Sequence, residues 1–232
     1  MGHLFNTLLY QPLLNILVLF YEYIPGQDFG IAIIALTILI KLIFYPLGSK
    51  AIKSQKALAE LQPKVKEIQA KYKDNKEEQG RQLIELYKKE KINPFSGIGI
   101  ILIQLPVLIA LYRVFWLGLS PDQLNLLYNF VPRPESISPM FLGLIDLSKS
   151  NLVMAALVGI TQFFQTKMIT PQKNKDSGGK DFAGQMQKQM LYFMPVFMFL
   201  ILMGLPSALG LYLLTTAVFT IIQQYLLTKK HE

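Results

Sequence analysis

The feature that most constrains this chain is the way its apolar residues gather into long blocks with the charges set between them. The segment GIAIIALTILIKLIFYPLG, Gly30 to Gly48, is interrupted only by Thr37 and Lys41 among polar side chains. A bilayer core is about 30 Å thick, and a helix rising ~1.5 Å per residue needs roughly 20 apolar residues to cross it. Blocks at 29–48, 95–117, 151–169, 189–203 and 208–227 approach or meet that requirement. Composition agrees: 52% of the 232 residues are hydrophobic and 16% charged, against roughly 25% charged in a soluble domain. The expected fold is an all-α integral membrane protein with five transmembrane helices. Only Gly204-Leu205-Pro206-Ser207 separates the last two blocks, so these are expected to form a tight antiparallel hairpin.

Residues 1–28 read differently. The apolar run from Leu13 to Tyr21 is short for a span, and Pro12 and Asn15 interrupt the longer stretch around it. No basic leader region or small-residue cleavage site marks a signal peptide. An amphipathic helix lying in the interface is expected.

Loop charge sets the orientation. Segments 49–94 and 167–188, with Lys229 and Lys230, hold 19 of the 23 Lys and Arg residues, whereas 1–29 and 118–150 hold only Arg133 and Lys149. Alternation through five spans places every basic segment on one side, which the positive-inside rule makes cytoplasmic. The N-terminus and loop 118–150 are then outside, and the tail 228–232 inside. Within 49–94, Leu58, Leu61, Val65, Ile68 and Tyr72 recur every three or four residues, the spacing of one helix face. Asp74-Asn75-Lys76 reads as a turn, and Leu83, Ile84 and Tyr87 form a second face, so a cytoplasmic helical hairpin is expected. Pro171, Ser177-Gly178-Gly179 and Gly184 make 170–188 a basic loop.

Lys41 is the most informative residue. Within the 29–48 block it lies about eight residues, or ~12 Å, from the Ser49 end. A charge at membrane depth costs at least ~2.5–3.5 kcal/mol and normally faces a polar cavity or a partner. None of the five blocks contains an acidic residue, which disfavours a proton relay and favours solvation by water. Neutral polar residues are available to line such a space: Thr37 one turn before Lys41, Gln104 in the second block, Thr161, Gln162 and Gln165 in the third. Tyr212, Thr216, Thr220 and Gln224 form an i, i+4 stripe in the fifth. Met186, Met190, Met194 and Met198 repeat at the same spacing, a pattern that core or lipid packing explains more often than an adaptable binding surface does.

Catalytic chemistry finds no support. The chain has no cysteine, and its two histidines, His3 and His231, lie near opposite ends, so neither a metal cluster nor a His-based catalytic group is expected. No phosphate-binding loop follows Gly97 or Gly99. No cofactor is expected.

The segments YIPGQDFGIAIIALTILIKLIFYPL, LQPKVKEIQAKYK, NPFSGIGIILIQLPVLIALYRVF, MPVFMFLILMGLPSALGLYLLTT and TIIQQYLL occur in that order. With them the chain resembles the YidC membrane protein insertases and their mitochondrial Oxa-type and chloroplast Albino-type relatives. The resemblance implies a five-helix core around a hydrophilic groove open to the cytoplasm and to lipid. In that family a basic groove residue, usually arginine, occupies the position of Lys41. Thr37 matches a polar groove position and Tyr212 an aromatic one, while Leu213 stands where relatives often carry Trp or Tyr. The chain looks like the short form, without a large periplasmic domain. The resemblance implies an insertase and chaperone for nascent membrane proteins; Lys41, Thr37 and Tyr212, joined by Gln104, Gln162, Gln165 and Thr216 from the reading of the polar residues above, are the expected groove. The implied partners are the ribosome, through the basic loops and tail, a Sec-type translocon and the lipid bilayer. The absence of an organelle transit peptide points to a bacterial plasma membrane. A small transporter or channel is the alternative reading; it would require a continuous polar path or related halves, of which the sequence offers neither.

Overall fold

The computed structural model describes residues 2–93, 96–117, 121–169 and 182–229. Basic loop 170–188 falls largely outside them, as do Lys230 and the rest of the tail. Helix α1, His3–Tyr23, passes through a π-helical stretch at Asn6–Tyr10 and continues without a break. Pro12 sits where α-helical bonding resumes and so does not end the helix. By length and composition α1 could cross a membrane, as could Ser207–Leu227 near the other end of the chain.

Helix α2, Phe29–Ile43, starts at Asp28, whose Oδ1 accepts from the N–H of Ile31 at 2.9 Å. This cap satisfies one of the donors left free at a helix start. The 29–48 block is not one straight helix. It breaks at Phe44, and α3, Tyr45–Glu60, leaves at 71°. Pro46 is the cause: it has no N–H to bond the carbonyl four residues back, its ring crowds that carbonyl, and it is at home in the first turn of a new helix. Together the bent pair is apolar enough for a further span. Helix α4, Gln62–Lys71, and α5, Lys76–Lys89, make the hairpin beyond it. Asn75 caps α5 by accepting from Glu78 N at 3.0 Å, and Lys64 reaches Glu90 at 2.6 Å across the open end.

Helix α6 covers Ser96–Leu117, with Pro106 inside it, and α7 is the single turn Pro121–Leu124. Strands β1, Met140–Phe141, and β2, Ile145–Asp146, pair antiparallel with Phe141 opposite Ile145. Helices α8, Leu152–Ile169, α9, Phe182–Leu202, and α10, Ser207–Lys229, complete the chain. Gln104–Trp116, Leu152–Met168 and Leu191–Leu202 are shorter apolar stretches.

The last two helices do not form the expected tight hairpin. Each packs chiefly on α8, and α9 touches α10 only slightly. Small residues explain the preference. A Cβ at Gly159 of α8 would stand 3.2 Å from the carbonyl oxygen of Pro195 in α9, and one at Gly210 of α10 would stand 2.7 Å from Met154 Cγ. Glycine at both contacts lets α8 wedge between its neighbours.

Segment 121–150 closes one end of the bundle. Its backbone and side chains are bonded to α1 at three levels. Tyr10 Oη donates to Gln123, Asn15 accepts from Tyr128 N at 2.6 Å, and Tyr21 Oη accepts from Ser138 N at 3.1 Å. Asn15 also donates to the carbonyls of Gln11 and Leu126. The polar residue that looked like an interruption of α1 is therefore its attachment to this loop. At the other edge, Ser207 N donates to Lys149 O at 2.8 Å and Ala208 N to Leu147 O at 3.0 Å, fixing the start of α10. The main core lies beneath this cap, with Leu14, Val18, Ala32, Ile33, Leu111, Val114 and Leu147 all buried.

Candidate functional site: a polar cavity beneath the bend

A cavity of about 510 Å³ opens where α2 gives way to α3, bounded also by α6, α8, α9 and α10. Its polar lining comprises Lys41, Gln55, Gln104, Gln162, Gln165, Thr216, Thr220 and Gln223; Ile40, Phe44, Leu47, Ile52, Val107, Met198 and Leu213 are among its apolar walls. Among the described residues no carboxylate lines it, so the lysine is its one charged group.

The bend decides where Lys41 sits. With α2 ending at Ile43, Lys41 occupies the last helical turn and not the middle of a long straight span. The C-terminal end of a helix dipole favours a cation there. The departure of α3 leaves space beside that turn, and Phe44, Leu47, Gly48 and Ile52 form the diverging wall. Gln223 of α10 holds the bend from the other side. Its Nε2 donates to Tyr45 O at 3.1 Å and to Ser49 Oγ at 2.9 Å. Gly48 makes room for it, since a Cβ there would lie 3.3 Å from the Gln223 amide.

Five of the seven residues singled out from the sequence share this cavity: Lys41, Gln104, Gln162, Gln165 and Thr216. Thr37 and Tyr212 are buried and do not line it. The Thr37 hydroxyl donates to Ile33 O at 2.6 Å within its own helix, a local bond open to any buried threonine in a helix. Tyr212 stands behind the wall and accepts a hydrogen bond from Gln104 Nε2, so it orients a lining residue without reaching the space itself. Thr220, part of the polar stripe in the fifth block, also lines the cavity, as do Gln223 and Gln55, which the sequence pattern does not single out. The methionine repeat contributes Met198; Met194 is exposed, and the side chains of Met186 and Met190 lie outside the described residues.

The arrangement has no nucleophile–base pair, and among the described residues no cluster of His, Cys, Asp and Glu suited to a metal. It offers hydrogen-bond donors and acceptors, one cation and flexible apolar contacts at the edge of an apolar bundle. Such a lining can solvate polar peptide groups that would otherwise meet hydrocarbon.

The sequence profile of a family described as "60Kd inner membrane protein" matches residues 19–232. The chain belongs to that family. Among its relatives, the membrane protein insertase YidC of Francisella philomiragia is 36% identical over 207 residues, 88% of this chain and 33% of that protein. The membrane protein insertase YidC of Geobacter metallireducens is 34% identical over 225 residues, 96% of this chain and 37% of that protein. The chain thus spans about a third of the length of the curated relatives it matches. As a 60Kd inner membrane protein family member with long apolar helices, it is a mostly helical membrane protein.

Proposed function

We propose that this protein is a membrane protein insertase and chaperone, and that the cavity beneath the bend is where an incoming chain passes. The observation that carries the reading is the joining of Lys41 with neutral amides and hydroxyls from four helices, in a space with no carboxylate in its described lining. A polar tail or loop of a nascent membrane protein would exchange bulk water for this lining instead of for hydrocarbon. That substitution lowers the desolvation barrier to crossing. Lys41 attracts acidic groups on the passing segment, and the substrate's apolar helix leaves into lipid beside α8 and α10. The relatives named as insertases support the same activity.

In this reading α2, α6, α8, α9 and α10 are the five spans, with the C-terminus in the cytoplasm of a bacterium and the N-terminus outside. Helix α1 lies along the outer surface. Its attachments to segment 121–150 at Tyr10, Asn15 and Tyr21 extend over eleven residues, about 16 Å of helix axis. A perpendicular span would meet a loop at one end only. The basic residues of 49–94 and of the last turn of α10 face the cytoplasm, where ribosomal RNA phosphates offer salt-dependent contacts. A Sec-type translocon is a further partner.

The test is site-specific photo-crosslinking from Gln104, Gln165 and Thr216 in membranes carrying ribosomes stalled on a short membrane protein. Crosslinks that require the nascent chain support passage through the cavity. Labelling confined to the α4–α5 hairpin would move the function to the cytoplasmic surface. As an independent check, Lys41→Ala should lower insertion of substrates with acidic translocated segments about tenfold, the equivalent of a lost charge-assisted contact of ~1.5 kcal/mol. Lys41→Arg should restore most of it. Undiminished insertion by the alanine variant would refute the charge role.

A further inference from the structure

We propose that the tip of the β1–β2 hairpin, Leu142-Gly143-Leu144, is an anchor that inserts into the acyl chains of the outer leaflet. Leu142 is 59% exposed and Leu144 82% exposed, the latter the most open large apolar residue among the described ones. The turn itself is built in an unusual way. Leu142 has φ +52° and Gly143 φ +68°, and hairpin turns that need positive φ are normally met with Asn-Gly or Asp-Gly, which are less strained and better hydrated. A leucine held in the left-handed region and pointed outward on a water-facing turn would carry both penalties with no return.

The hairpin's position identifies what it meets. Asp28 caps α2 through Oδ1 and with Oδ2 accepts from Leu142 N at 2.5 Å, so one carboxylate fixes both the helix start and the turn. The Phe141 ring lies directly over Gly30, where any side chain would collide with it. The tip is thereby held level with the first turn of α2. This placement rests on the reading above, in which that turn is the outer boundary of a span. At the hairpin's base, the exposed Lys149 pairs with Asp146 at 3.0 Å, which leaves the polar groups at headgroup level. Two leucines are too small a patch for a stable protein partner, which buries ~800 Å² on each side, but suffice to hold a loop in a membrane surface.

The chain contains a single tryptophan, so Trp116→Phe provides a background for single-tryptophan reporters. Leu144→Trp, and Ile222→Trp on the exposed side of α10, are reconstituted separately in phosphatidylethanolamine–phosphatidylglycerol vesicles with or without brominated acyl chains. The expected result is about a twofold loss of emission from both reporters with brominated lipid, and little quenching of either by aqueous iodide. Quenching of the Leu144→Trp reporter by iodide alone, with the Ile222→Trp reporter still sensitive to bromine, overturns the anchor and leaves the span assignment standing. Shielding of the tip from both quenchers also overturns it, in favour of a protein contact. Insensitivity of both reporters to bromine refutes the span reading and the anchor with it. Leu142→Asp should release the tip, so that a Leu144→Trp reporter in that variant loses its bromine quenching; retention of quenching there would refute anchoring by this turn.

Discussion

Replacing Asn15 with alanine tests whether α1 is an integral part of the bundle's cap. Asn15 is buried at 1% exposure, and its amide serves three backbone groups: it accepts from Tyr128 N at 2.6 Å and donates to Gln11 O at 2.7 Å and Leu126 O at 3.2 Å. These losses are unequal. Gln11 O belongs to the α1 ladder, and Leu126 O keeps its bond from Gln11 Nε2 at 3.0 Å. Tyr128 N loses its partner, and an unpaired buried donor costs about 1–3 kcal/mol. The expected effect is a fall in stability of that size, roughly 5- to 150-fold in the unfolding constant. Asn15→Asp separates donor from acceptor: it keeps the acceptor for Tyr128 N but turns an oxygen toward two carbonyls, so it should rescue little. Denaturant titration in detergent, followed by Trp116 emission, gives the energy; protease cleavage within 125–138 reports loop release. Unchanged stability and unchanged cleavage in the alanine variant would show that α1 merely rests beside the loop, and the reasoning would fall.

Three further outcomes are expected. Gln223→Leu removes both bonds across the bend, worth about 0.6 kcal/mol each in membrane proteins; nitroxides at Lys50 and Tyr225 should then give a broader distance distribution, with no change refuting the latch. Gly159→Ala sets a methyl against the Pro195 carbonyl, a backbone atom that cannot rotate away, and should cost about 1–3 kcal/mol in stability by forcing α8 and α9 apart. The Glu90 carboxyl is held below its ordinary value of 4.5, first by the hydrogen bond from Lys64. A depressed carboxylate stabilises the fold above that value and ceases to as pH falls through its own lower one. A spin label at Lys89 should therefore gain mobility on acidification below pH 4.5, and Glu90→Gln should show that mobility already at neutral pH.

The sequence made the class of the cavity legible, because a lone lysine amid apolar residues has few places to go and the glutamines had to face inward somewhere. What it hid follows from geometry. Counting α10 in steps of four leads from Tyr212 to Gln224, yet at ~100° per residue twelve residues overshoot the face by about 120°, whereas eleven overshoot by only about 20°. Gln223 lines the cavity and Gln224 does not. The α2–α3 bend had its signal in Pro46, masked by the unbroken apolar character around it. Tyr212 and Thr37 share the right helices and sit one layer too deep. Asn15 resembled a flaw in α1 because its partner stands 113 residues away, beyond any local pattern.

That separation has a consequence for how the molecule is made. At a synthesis rate of ~5–20 residues per second, roughly 6–23 s pass between the appearance of Asn15 and that of Tyr128. Throughout that interval the N-terminal helix has its own apolar face and no lid. The bond from Ser207 to Asp146 needs 61 residues beyond Asp146, so this end of the bundle closes only as the final helix begins to emerge. During its own biogenesis the newborn chain must therefore wait half-assembled at a membrane, its apolar faces unmatched until the last helix arrives.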